Sequence, residues 1–196
     1  MPRKPTSASA RTAPHQVRII GGQWKRTKLE VADRPGLRPT PDRVRETLFN
    51  WLGQDLTGWR CVDAFAGTGA LGLEAASRGA ADVLLVENEA SLVERLRAVV
   101  ARLGAANVRV QRGDGLRLLA NQPAGSVDLV FLDPPFDSGL FDQALVAAVP
   151  ALAAAGQVYL EAPVAWGEAA LAAHGLALVR HLKAGAVHGH LLRRAA

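Results

Sequence analysis

The sequence predicts an α/β fold: a mostly parallel, seven-stranded sheet with helices on both faces, preceded by a small hairpin and helix. Three observations carry this. From Trp59 onward, short apolar runs of strand length alternate with helical segments, the pattern of right-handed β-α-β crossovers. Gly79 and Gly104 close the first two of those helices, as C-terminal caps do. The final "LALVRHLKAGAVHGHLLRR" holds two β-prone runs around a glycine-containing turn, which predicts a hairpin and an antiparallel strand at one edge of the sheet.

The elements follow in order. Residues 1–15, "MPRKPTSASARTAPH", are basic and lack an apolar segment, which predicts a disordered tail and excludes a secretory signal. Residues 16–57 read as an extension. In it "VRIIGGQWKRTKLEV" has two β-prone runs flanking Gly21-Gly22, the mark of a small hairpin or bulged strand pair. In "RPGLRPTPDRVRETLFNWL", Thr40 suits an N-cap, Pro41 the first helical position and Asp42 the positive helix end. Val44, Leu48 and Trp51 then recur at helical spacing, which predicts a helix over 41–52. Residues 58–196 read as the main domain. "RCVDAF", "DVLLVE", "VRVQRGD", "VDLVFLD" and "GQVYLEAP" are its strands. "GALGLEAASRG", "ASLVERLRAVVARLG", a short segment after Asp114, and "LFDQALVAAVPAL" are its helices.

Composition narrows the class. The chain of 196 residues is 49% apolar, enough for a sizeable core, and no run is long and apolar enough for a membrane helix. A single cysteine, Cys61, excludes an internal disulfide and a cysteine-rich metal site. It reads as a small core residue, and a reducing cytoplasm is the expected compartment. Residues 1–60 hold 12 Arg and Lys against 5 Asp and Glu, a balance of +7, while the remainder holds 11 against 13, a balance of −2. Confinement of the positive excess to the first third predicts a polyanion bound there, with Arg18, Lys25, Arg26, Lys28, Arg38 and Arg43 as candidates. Trp24 beside Lys25 has two readings, stacking on a base or packing of the hairpin. Trp51 and Trp59 are expected in the core. His188 and His190 have no third ligand nearby in sequence, so no metal is expected.

Ligands of such a sheet bind at the carboxyl ends of its strands. Four of those ends carry an acid: Asp63, Glu87, Asp114 and Asp133. "GTGALG", Gly67 to Gly72, matches G-x-G-x-x-G, in which small residues let a ligand approach the backbone. Glu87, 24 residues beyond Asp63 at the next strand end, is placed to accept ribose hydroxyls. A nucleoside-containing cofactor follows. A nicotinamide cofactor is disfavoured, because Asp63 would meet its diphosphate with like charge and "DPPF" has no role in hydride transfer.

"DAFAGTGALG", Glu87, Gly113-Asp114 and "DPPF" resemble, in order and spacing, the motifs of class I S-adenosylmethionine-dependent methyltransferases, over residues 58–165. The N-terminal "RIIGG" and "LRPTPDRVRETLFN", in a short chain without an inserted recognition domain, further resemble the bacterial 16S rRNA guanine-N2-methyltransferases of the RsmD type. The resemblance implies a Rossmann-like fold, S-adenosylmethionine as cofactor and 16S rRNA as partner, within the small ribosomal subunit or its assembly intermediate. A monomer is expected, and no metal. Asp63 would hold the methionine amino group, Gly67 and Gly69 would pass close to the methionine part, and Glu87 would bind the ribose. Asp114 would accept from the adenine amino group, with Leu116 beside the ring. Residues 16–57 would be an RNA-binding extension. Phe136 stands where tyrosine is also common in the family.

In "DPPF" the chemistry is that of an exocyclic amine. Its lone pair is delocalised into the base. It attacks well only when two acceptors hold its hydrogens and aim the lone pair. The Asp133 side chain and the Pro134 carbonyl are the candidates. Pro134 and Pro135 make the turn rigid, and Phe136 offers a stacking surface, an effect of positioning. Such turns serve adenine N6, cytosine N4 and guanine N2 alike. Cytosine C5 is disfavoured because it needs a nucleophilic cysteine. The alternatives are a DNA or RNA amino-methyltransferase acting on adenine N6, and an rRNA-binding assembly factor without catalysis.

Overall fold

The computed structural model describes residues 16–31 and 40–195. The 1–15 tail and Arg38 lie outside the described residues. Strands β1 (Gln16–Arg18) and β2 (Lys28–Glu30) pair antiparallel with Val17 opposite Leu29. The connection is longer than a tight turn at Gly21-Gly22. It runs from Ile19 to Thr27 and is closed by Arg26 N–H on the Ile19 carbonyl at 2.7 Å.

Helix α1 (Asp42–Trp51) starts one residue later than the spacing predicts, and Thr40 does not cap it: Pro41 holds the cap position, with no side-chain hydrogen bond. The Thr40 hydroxyl bonds Glu161 instead. Thr40 is buried, and its hydroxyl donates to a carboxylate, a stronger hydrogen bond than one between neutral groups.

The main domain follows as β3 (Arg60–Asp63), α2 (Ala70–Ser77), β4 (Asp82–Glu87), α3 (Ala90–Leu103), β5 (Val108–Arg112), α4 (Gly115–Ala120), β6 (Val127–Leu132), α5 (Phe141–Ala151), β7 (Leu152–Ala162), α6 (Glu168–Ala173), β8 (Leu176–Ala184) and β9 (Val187–Arg194). The sheet order is β5-β4-β3-β6-β7-β9-β8. The first five strands are parallel, and β9 is antiparallel to both of its neighbours. The antiparallel strand therefore sits one place in from the edge, and β8 forms the edge. Apolarity decides this. Leu191 and Leu192 of β9 are buried, whereas β8 carries exposed Arg180, His181 and Lys183. The six-residue α6 has too short a pattern to be read from the sequence.

Period-two alternation divides the strands between two cores. Cys61, Leu85, Phe131 and Tyr159 face the hairpin, α1, α2 and α3. Val62, Leu84, Val130 and Leu160 face α4, α5 and α6. Burial pushes the Cys61 thiol up, in keeping with a core role.

The extension is fastened to α2 by buried polar groups. Glu74, wholly buried, accepts the Ile20 and Gly21 amides at 2.8 and 2.7 Å and pairs with Arg78 at 2.9 Å. Arg45, also wholly buried, donates to the Arg18 carbonyl at 2.8 Å and pairs with Asp42 at 2.5 Å. Ser77 accepts the Gln23 amide on its carbonyl and the Trp24 amide on its hydroxyl. Gly22 has φ +70°, and a Cβ there would lie 1.8 Å from the Ser77 carbonyl oxygen. The "RIIGG" stretch is thus first of all a docking surface on α2. Trp24 packs against the first core, as do Trp51 and Trp59.

Candidate active site

The strand order reverses between β3 and β6, because β4 and β5 lie on one side of β3 and β6 and β7 on the other. That reversal opens a crevice at the carboxyl ends. Asp63 and Asp133 flank it.

On the β3 side the glycine-rich turn is built around carboxylates. Asp63 is 2% exposed and accepts the Gly72 amide at 3.0 Å. Burial raises its pKa to about 7, against the opposing amides of Gly72 and Phe65. A carboxyl in that range ionises when a cationic amine approaches, so this acceptor suits an amino group. Gly67 and Gly69 have φ of +52° and +78°, a region that favours glycine. Gly72 is different. It lies in α2, and a Cβ there would come 2.2 Å from the Leu85 side chain, so it serves helix–sheet packing.

Glu87 accepts the Gly67 amide at 3.0 Å and the Glu89 amide at 2.9 Å. A carboxylate has about four lone-pair sites, which leaves capacity for a diol. Asp114 caps α4 by accepting the Arg117 amide at 3.0 Å. Gly115 brings that turn against the first one, since a Cβ would lie 1.9 Å from the Ala64 carbonyl oxygen. Leu116 packs on the second core beside it. The β3, β4 and β5 ends therefore form one acidic, glycine-lined rim. Its acceptors match the amine, ribose hydroxyl and adenine amino donors of S-adenosylmethionine.

On the β6 side, Asp133 is partly buried, Pro134 buried and Pro135 exposed. The Pro135 carbonyl accepts the Ser138 amide at 2.9 Å, closing the turn. The Phe136 ring lies 6.5 Å from that of Phe141, which lies 6.4 Å from Trp166. Burial, then the charges of Glu161 and Asp63, hold the Asp133 carboxyl well above the usual carboxylate range.

A family profile described as "Conserved hypothetical protein 95" matches residues 17–193. The chain belongs to this family. Among relatives, it is 50% identical over 130 residues to the ribosomal RNA small subunit methyltransferase D of Escherichia coli, covering 66% of this chain and 65% of that one. Its likeness to the Haemophilus influenzae protein of the same name is 42% over 138 residues, covering 68% and 70%. The matched segment thus spans about two thirds of these curated relatives. Among solved structures, the yhhF protein of Escherichia coli superposes with a TM-score of 0.78 at 42% identity, covering 92% of this chain and 99% of that one. The Haemophilus influenzae protein HI0767 gives 0.72 at 32% identity with the same coverages. The relatives' names agree with the resemblance read from the sequence, and the family fold agrees with the predicted sheet.

Within this family member, two features of the rim escaped the sequence reading. The first is Glu161, a fifth acid at the end of β7, 3% exposed. The visible signal was "YLEAP", a strand ending in an acid like the four others. The second is His181. It brings Nε2 to 2.9 Å from His188 Nδ1, stacks its ring on that of His188 at 5.1 Å, and lies tilted 4.8 Å from the ring of His190. His190 accepts the Trp166 amide at 3.0 Å, and its other ring nitrogen lies 3.3 Å from the Leu160 carbonyl. Burial lowers its pKa to about 4. Among the described residues, no group of three or more His, Cys, Asp or Glu is placed to hold a metal ion.

The basic candidates are partly gathered. Arg18, Arg26 and Lys28 line one groove with Asp42, and Arg18 pairs with Asp42 at 2.7 Å. Lys25 and Arg43 lie outside that groove, and both are exposed. Among the described residues, no helix is long and apolar enough to cross a membrane.

Proposed function

We propose that the protein transfers a methyl group from S-adenosylmethionine to the exocyclic N2 amine of a guanine in small-subunit rRNA, in the cytoplasm. One observation carries this: the acidic rim of β3, β4 and β5 meets the Asp133–Phe136 turn across the strand-order reversal. The names of the relatives support the choice of small-subunit rRNA.

Asp63, Gly67 and Gly69 hold the amino-acid part of the cofactor, Glu87 the ribose, and Asp114 with Leu116 the adenine. Bound there, the cofactor supplies an electrophilic methyl group. Asp133 and the Pro134 carbonyl take the two hydrogens of the target amine and aim its lone pair. Pro135 keeps the turn rigid, and Phe136 stacks on the base, which must lie unpaired or be extruded to arrive. Residues 16–57 form the RNA-binding extension of the 58–196 methyltransferase domain, with Arg18, Lys25, Arg26, Lys28 and Arg43 meeting phosphates. The protein works as a monomer on the ribosomal subunit or its precursor.

The experiment is methyl transfer from labelled cofactor to small subunits purified from cells lacking this protein, followed by mapping of the modified base. One N2-methylguanine is expected. Label on adenine N6 would replace the base assignment, and absence of label on any rRNA or particle would favour an assembly factor.

A further inference from the structure

We propose that Glu161, held by Tyr159 and Thr40 beside Asp133, is a positioning residue that makes Asp133 the acceptor of the proton released by the target amine. The proposal rests on the amino-methylation reading and deepens it.

The register places the two acids together. Leu132 of β6 pairs with Leu160 of β7 in parallel, so Asp133 and Glu161 are the next positions on adjacent strands. Side chains at matched positions of neighbouring strands point to the same face. That face is the one on which Phe131 and Tyr159 lie. Glu161 is tightly held. Tyr159 donates its hydroxyl to Glu161 Oε1 at 2.9 Å, and Thr40 adds a second side-chain hydrogen bond. Gly189, opposite Glu161 on β9, makes room for the clamp: a Cβ there would lie 2.7 Å from the Tyr159 hydroxyl.

The groups facing Glu161 account for its balance. Asp133 from β6 and Asp63 from β3 are acids on the same rim, and Arg45 of α1 is the cation whose charge reaches it. Burial raises the pKa of Glu161, while Tyr159, Thr40 and Arg45 oppose that rise. Tyr159 is raised well above its ordinary range by burial and by Glu161, so it stays a neutral donor.

Two like charges at adjacent positions cannot both be comfortable, and a proton taken up by one relieves the pair. As the lone pair of the target nitrogen bonds to the methyl carbon, that carbon's bond to the sulfonium sulfur breaks with its electron pair left on sulfur, and the nitrogen gives up one hydrogen as a proton. The electron pair of that N–H bond stays on nitrogen, and the proton goes to an Asp133 carboxylate oxygen, whose charge is cancelled. Nothing is oxidised or reduced. A carboxylate alone would accept a hydrogen bond from the amine. With Glu161 beside it, uptake of the proton is favoured.

The test follows the Asp133 carboxyl by carbon-13 NMR in the unliganded protein, beside single-turnover methyl transfer over the same pH range and direct cofactor binding. Glu161→Gln removes the charge and keeps an acceptor for Tyr159. The Asp133 midpoint is expected to fall by about one pH unit, and the acid limb of the rate profile to move with it. The rate at its plateau is expected to fall roughly 10-fold or more, with cofactor affinity held within about twofold. Tyr159→Phe removes only a hydroxyl. Glu161 then keeps its proton to higher pH and repels Asp133 less, so the midpoint moves the same way by a smaller amount. Should Glu161→Gln not fold, Tyr159→Phe and Thr40→Val decide. An unmoved midpoint in every folded variant, with wild type active, overturns this proposal alone. Wild-type protein that methylates no RNA overturns both this proposal and the reading beneath it.

Discussion

The Arg45 guanidinium of α1 and the Glu74 carboxylate of α2 meet at 3.5 Å with neither side chain exposed. Through this pair the extension and the main domain share one buried polar network. Glu74→Ala would leave Arg45 charged, buried and without that partner, and would orphan the Ile20 and Gly21 amides. Unfolding in urea should show a drop in stability of about 3–5 kcal/mol. A drop below about 1 kcal/mol would mean that the network does not fasten the extension.

Asp63 makes stability depend on pH. Its proton leaves the unfolded chain near pH 4 but stays on the native protein until about 7. Between those values the native state binds more protons, so this group's contribution to stability falls as pH rises. Asp63→Asn keeps an acceptor for the Gly72 amide and removes the titration. Its stability relative to wild type should rise by several kcal/mol, on the order of 2–4, from pH 4 to 7.5. Thermal unfolding over that range tests it, and a constant difference would refute it.

Glu87→Ala should weaken S-adenosylmethionine binding by roughly 1.5–3 kcal/mol, the usual cost of hydrogen bonds to a charged acceptor. Part of this effect comes through the Gly67 amide, which Glu87 also holds. Calorimetry decides, and equal affinities would show that the ribose is held elsewhere.

Replacing Lys25, Arg26 and Lys28 with Ala should weaken rRNA binding and flatten its salt dependence, by about 0.7–0.9 in the log–log slope for each phosphate that the variant no longer neutralises. Arg26 and Lys28 share a groove with Arg18, so they should matter more than Lys25. Identical slopes for wild type and variant would remove RNA binding from this surface.

Asp133→Ala should lower the single-turnover rate strongly while changing rRNA and cofactor affinity much less, as expected of an interaction made mainly in the transition state. Asp133→Asn keeps an oxygen that can orient the amine but cannot take up its proton, so its rate should exceed that of Asp133→Ala yet stay far below wild type. Phe136→Ala should instead weaken base capture by roughly 1–3 kcal/mol. Near wild-type rates in Asp133→Ala would show that this turn does not orient the amine.

What the sequence determined by itself is local and periodic. Short apolar runs such as "DVLLVE" marked the strands, and strand-terminal acids marked Asp63, Glu87, Asp114 and Asp133, because these signals depend only on neighbours along the chain. Tertiary structure decided what depends on distant partners. Thr40 looked like a helix cap until a buried carboxylate 121 residues away took its hydroxyl. Gly21-Gly22 looked like a hairpin turn, yet the pair is demanded by the close approach of α2. Glu161 became legible as a partner of Asp133 only when register set β6 beside β7. A residue's hydrogen-bond partner and its charge environment are properties of the packed sheet, since burial and the neighbours that burial brings set both the strength of a hydrogen bond and the proton affinity of an acid.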